Sequence, residues 1–97
     1  MIVSFADPGT RDIFNGGDTK AARRTCPSGL WNVARRKLDQ LNAASRLDTL
    51  RSPPGNRLEA LQGERRGEHS IRVNDQFRVC FRWKGAGAES VQIVDYH

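Results

Sequence analysis

The sequence predicts an α+β fold, with helices first and an antiparallel meander after them. Two observations carry this. Trp31, Ala34, Leu38 and Leu41 recur at three- and four-residue spacing and form one apolar stripe over Leu30–Ala44, the period of a helix packed by one face. Gln76–Trp83 alternates strictly, with Phe77, Val79, Phe81 and Trp83 on one side and Gln76, Arg78, Cys80 and Arg82 on the other, the period of a strand.

The remaining elements follow in order. Ile2–Phe5 reads as a short apolar strand broken by Asp7-Pro8-Gly9, and Thr10–Phe14 as a short helix closed by Asn15-Gly16-Gly17. Asp18–Gly29 reads as a loop, since Pro27 denies an unbroken helix through it. After Leu30–Ala44, a helical piece over Arg46–Leu50 stops at Ser52-Pro53-Pro54-Gly55, a loop by turn chemistry. Arg57–Leu61 and Glu68–Val73 read as strands around a polar, glycine-flanked turn. Asn74-Asp75 then makes a tight hairpin into Gln76–Trp83, because both residue types tolerate positive φ. Lys84-Gly85-Ala86-Gly87 turns the chain into a last strand, Ser90–Tyr96.

The chain has 97 residues and reads as one domain spanning 1–97, too short for a separate cofactor domain. Sixteen basic residues against 11 acidic ones give a formal charge of +5. Thirteen of the sixteen are arginine, whose flat fork of donors suits phosphates and stacks on bases. The excess fits a polyanionic partner, or a solvated surface in an arginine-biased composition. Cys26 and Cys80 lie far apart without CxxC spacing, so free thiols in a reducing cytosol are expected rather than a disulfide or zinc site. No signal peptide is visible and no apolar run nears the roughly 20 residues that span a bilayer. A soluble cytoplasmic protein is the expectation. There is no phosphate-cradling glycine loop, no HExxH and no Ser/His/Asp constellation.

Three groups of residues could carry chemistry. Arg72, Arg78 and Arg82 share the sheet side opposite the apolar one, which fits a phosphate-binding surface or an ordinary solvated face. Because Arg78 stands between Phe77 and Val79, its side chain is expected to leave the core, so that removing it should barely disturb the fold. The sequence finishes Asp95-Tyr96-His97. Cleavage of RNA by its own 2′-hydroxyl needs a base for that hydroxyl, an acid for the leaving 5′-oxygen and cations for the developing charge. His, Tyr and Arg supply these, although a histidine in this position also fits a frayed end. Lys20, Arg23, Arg24, Arg35, Arg36 and Lys37 lie between Asp18 and Asp39 with no acidic residue among them. They suit docking on a phosphate-dense surface or a solvated helix face. His69 alternates with Ile71 and Val73 and reads as a packed or edge histidine.

The stretch Pro54-Gly55-Asn56-Arg57-Leu58-Glu59-Ala60-Leu61-Gln62-Gly63, the following GERRGEHSIRVNDQFRVCFRW and the closing IVDYH resemble the HigB-type toxins of the RelE superfamily. The opening MIVSF and the helix ending LNAAS are similar too. The resemblance implies a RelE-like microdomain, a curved antiparallel sheet with the N-terminal helices on one face. It implies a metal-independent endoribonuclease acting on mRNA in the ribosome without a small-molecule cofactor, and a helix-turn-helix antitoxin of the HigA type as partner. The family's catalytic arginine matches Arg78, and its closing Asp, Tyr and His match Asp95, Tyr96 and His97. Where some members carry a histidine before the "L-x-G" turn, this chain has Glu59, a carboxylate able to act as base. Lys20, Arg23, Arg24, Arg35, Arg36, Lys37, Arg72 and Arg82 are then the candidate RNA- and ribosome-binding residues. The rival reading is a non-catalytic module that impairs translation or ribosome assembly by occupancy. The Tyr96-His97 pair separates the two, because binding alone needs no acid–base group.

Overall fold

Three α-helices precede a four-stranded sheet in the computed structural model, which describes residues 1–96. Helix α1 spans Pro8–Phe14, and its Asp7 cap accepts from Thr10 N at 2.6 Å, satisfying an N–H that the first turn leaves orphaned. Helix α2, Lys20–Thr25, occupies the stretch expected to be a loop. Thr19 caps it through Oγ1, which accepts from Ala22 N, while Asp12 accepts from the Thr19 hydroxyl. Pro27 still acts as a stop, since the helix ends two residues before it. A 3-10 turn at Ser28–Leu30 leads into α3, Trp31–Ala43, whose ends fall one residue inside the expected Leu30–Ala44.

Strands β1 (Glu59–Ala60), β2 (His69–Arg72), β3 (Phe77–Lys84) and β4 (Gly87–Asp95) pair antiparallel in sequence order. Strand β1 is shorter than the expected Arg57–Leu61, because Arg57 is taken up by a left-handed turn after the 3-10 turn Pro54–Asn56. The β2–β3 hairpin closes through Asn74, whose Oδ1 accepts from Gln76 N and Phe77 N. Strand β4 starts three residues before the expected Ser90. Cys80 faces Gln92 while Arg82 faces Glu89, so β4 carries one extra residue there, and Ser90 takes φ 53°. That bulge resets the alternation. On the outer side of β4, Ile2 and Phe5 form parallel bridges to Ala88 and Val91 rather than a full strand.

Helices α1 and α3 pack on one face of the sheet. Ile13, Ala34, Leu38, Leu41, Ile71, Val79, Phe81 and Val91 are completely buried between them. The other face differs from expectation. Arg78 and Cys80 are buried rather than exposed. Arg65 reaches over this region, donating to Glu68 and to Gln92, the cross-strand partner of Cys80. Burial drives the Cys80 thiol pKa upward, and it pushes the Cys26 thiol up to about 11.

Candidate active site

The site is built from the turn preceding β1. Asn56 is completely buried, as an amide can be only when its polar atoms find partners. Its Nδ2 donates to Gln40 Oε1, Leu50 O and Ser52 O at 3.1–3.3 Å, and its Oδ1 accepts from Lys37 Nζ at 2.7 Å. The amide thereby ties α3 to the turn. Arg57 follows with φ 47° and ψ 57°, left-handed geometry that non-glycine residues rarely adopt. In that conformation its carbonyl faces Arg78.

Arg78 is the centre of the arrangement, with 7% of its surface exposed. Its Nη1 donates to Ser70 Oγ at 2.8 Å, and its Nη2 donates to Arg57 O at 3.3 Å and Glu59 Oε1 at 3.4 Å. The Tyr96 ring lies 5.3 Å from its Cζ, within cation–π range. Register explains the convergence: Glu59 faces Ser70, and Arg72 faces Arg78, so all four share one sheet face. A guanidinium so fixed is oriented before any ligand arrives, the condition under which a cation best stabilises developing charge.

Around it lies a cleft of about 240 Å³ lined by Arg57, Glu59, Arg72, Asn74, Asp75, Arg78 and Tyr96. Arg72 is ion-paired with Asp75. The Lys37 amine has its pKa lowered, first by burial and then by the charges of Arg36 and Arg72, so the positive field of the cleft runs on to α3. The structure thus brings Arg78, Tyr96, Glu59 and Arg72 together. Asp95 sits one residue out of phase, opposite Phe77, and accepts from Gln76 Nε2 at 2.9 Å. His97 lies outside the described residues. Arg82 is exposed and reaches toward Gly67 rather than into the cleft.

The basic block divides. Arg35 donates to Ile13 O at 2.9 Å and Arg23 pairs with Asp18 at 2.6 Å, while Lys37 serves Asn56. Lys20, Arg24 and Arg36 are exposed and make no ion pair among the described residues. His69 stacks on Phe81 on the opposite sheet face. There it lines a separate cavity of about 460 Å³ with Leu58, Ala60 and Trp83. Asn56, Arg57 and Ser70 were missed in the sequence reading. Only Ser70, in phase with Arg72 on the alternating strand, carried a signal that could have found it. Among the described residues, no three His, Cys, Asp or Glu side chains gather as a metal site.

Comparison with known proteins places the chain in a family. The chain is 50% identical over 83 residues to the toxin HigB-1 of Vibrio cholerae serotype O1, covering 86% of this chain and 84% of that protein. It is 38% identical over 80 residues to an uncharacterized protein of Haemophilus influenzae, covering 82% and 76%. The fold is similar to a chain of the YoeB-YefM complex from Staphylococcus aureus, with a TM-score of 0.60 at 11% identity over 100% of this chain and 98% of that one. The family model described as the RelE-like toxin of the type II toxin-antitoxin system HigB matches residues 3–97. The chain belongs to this HigB-like family of RelE-like toxins.

Proposed function

We propose that this toxin cleaves translated mRNA on the ribosome, using the RNA's own 2′-hydroxyl as nucleophile and arginine rather than metal as the source of positive charge. The observation that carries the reading is the buried, fourfold-held Arg78 at the floor of an open cleft. In the reaction, the 2′-oxygen forms a bond to phosphorus and the bond to the 5′-oxygen breaks. The hydroxyl proton passes to a base, and the leaving oxygen takes one from an acid. Glu59 is the candidate base, and Tyr96 with His97 the candidates for positioning and protonating the leaving group. Arg78 stabilises the charge that builds on the phosphate. Asp95, bonded to Gln76, anchors the segment that carries Tyr96 and His97. Lys20, Arg23, Arg24, Arg35, Arg36 and Lys37, with Arg72 and Arg82, make the basic surface toward ribosomal RNA. The partner in this reading is a helix-turn-helix antitoxin of the HigA type, and the site of action is the cytoplasm. No helix among the described residues is long and apolar enough to cross a membrane.

The test is the chemistry of the cut ends in a translating extract given purified toxin. Fragments should carry a 2′,3′-cyclic phosphate or its opened form and a 5′-hydroxyl, and should arise only from translated message. Fragments with 3′-hydroxyl and 5′-phosphate ends would contradict the 2′-hydroxyl route. Arrested translation with intact mRNA would favour inhibition by occupancy.

A further inference from the structure

We infer that Arg57 is a second anion-binding residue of the cleft, held left-handed so that its guanidinium meets the RNA backbone beside the scissile phosphate. The inference rests on the reading of the cleft as the RNA-cleaving site.

Arg57 occupies the residue just after a 3-10 turn, with φ 47° and ψ 57°, and its N–H donates to Pro54 O at 3.1 Å. Chains closing a helical turn in this way favour glycine, and to a lesser degree asparagine, because a Cβ strains the left-handed conformation. An arginine there has a cost that glycine would avoid. The backbone supplies one reason for the conformation: the Arg57 carbonyl accepts from Arg78 Nη2. Glycine would present the same carbonyl, so this contact explains the turn and leaves the side chain unexplained. The surroundings account for the side chain. Three arginines line the cleft, and two are already engaged with carboxylates, Arg72 with Asp75 and Arg78 with Glu59. Arg57 is exposed and has no carboxylate partner among the described residues. It is therefore the cleft cation whose charge is least neutralised before a ligand arrives, and a flat donor fork matches a phosphate. Buried Asn56 next to it, bonded to Lys37, Gln40, Leu50 and Ser52, fixes the turn, so the side chain springs from a rigid base. Strained residues held by such an over-determined surround cluster at functional sites.

Arg57→Gly isolates the side chain, since it keeps the carbonyl, suits the backbone and removes the side chain with its guanidinium. The experiment compares wild type, Arg57→Gly, Arg57→Lys and Arg78→Met in a translating extract, measuring mRNA cleavage rate and melting temperature. Arg78→Lys replaces Arg78→Met if the latter melts early. Arg57→Gly should melt no lower than wild type yet cleave about tenfold to a hundredfold more slowly, the loss expected for one charge-assisted hydrogen bond. Arg57→Lys should keep more activity than Arg57→Gly. If Arg57→Gly cleaves at the wild-type rate while the Arg78 variant is inactive, the inference fails and the cleft reading stands. If Arg57→Gly melts well below wild type, its side chain serves the fold and the inference again fails. A folded Arg78 variant that cleaves at the wild-type rate overturns the cleft reading, and this inference with it.

Discussion

Arg78 shows what alternation reveals about a residue and what it leaves out. Its place between Phe77 and Val79 put it on the sheet face away from the helices. Alternation could not show that this face is roofed by Arg57, Glu59 and Tyr96, because those contacts arrive from 18 or more residues away in sequence. A surface arginine would be removed at almost no cost in stability. A buried one leaves Ser70 Oγ, itself completely buried, without its partner. Arg78→Ala is therefore expected to destabilise the fold by about 1–3 kcal/mol, the cost of stranding a buried polar group. This is a fall of several degrees in a thermal melt for a domain of this size. Any loss of toxicity must be read against that melt, and Arg78→Lys, which keeps an N–H donor for Ser70 Oγ, is the better probe of chemistry. The two thiols give a second prediction. With Cys26 pushed up to about 11 and Cys80 raised by burial, both should react slowly with a thiol reagent at pH 8 in the native protein and fast once unfolded. Because the folded pKa of Cys26 lies above its ordinary 9.0, its contribution to stability is complete below pH 9 and lost as the pH rises toward 11. Native thiols that react as fast as unfolded ones would show that the face over Cys80 and the core around Cys26 are open.

At the scale of elements, long periodic segments were legible and short ones depended on their neighbours. Helix α3 follows from its spacing. The β2–β3 hairpin lies where Asn74-Asp75 place it, although neither residue takes a positive φ and the turn closes instead through the Asn74 side chain. Helix α2 falls in a stretch where Pro27 denies an unbroken helix through to Gly29, but the proline only sets where the helix stops. The Thr19 cap and the run Lys20-Ala21-Ala22-Arg23-Arg24 were the signals for it. Six residues do not hold a helix without packing, and that packing comes from α1. The two approach so closely that a Cβ on Gly9 would lie 1.9 Å from Thr25 Oγ1 and 2.6 Å from Ala21 O. Gly9→Ala should accordingly cost about 1–3 kcal/mol by overpacking, seen as a lower urea midpoint with an unchanged slope. Wild-type stability in that variant would mean that α1 and α2 are not seated as described. Strand β4 begins earlier than the expected Ser90 for another reason. The extra residue at Ser90 puts Ala88 and Val91, both buried, at an odd spacing, which hides a strand from any test of strict alternation.

For the whole molecule, the order of helices then meander was legible, and so was its basic character. The division of labour within the basic block was not. Charge alone does not show that Arg35 holds the end of α1 or that Lys37 holds Asn56. Reversing Lys20, Arg24 and Arg36 to Glu, the exposed members without ion pairs among the described residues, should spare the fold. It should weaken ribosome cosedimentation and flatten its dependence on salt, since up to three phosphate contacts are lost. Undiminished cosedimentation at physiological salt would take the block out of docking. The candidate site was half legible: Arg78, Glu59 and Tyr96 stood in motifs, while Asn56, Arg57 and Ser70 act through contacts that only the fold creates. The central claim is that this cleft cuts mRNA, and mapping mRNA 5′ ends in cells after induction tests it most directly. Wild type should produce new ends inside translated frames, and a folded Arg78→Met or Arg78→Lys variant should reduce them by about 10²–10³, as for loss of a preorganised donor to developing charge. Growth arrest with intact message, or cutting undiminished in the folded variant, would contradict the account.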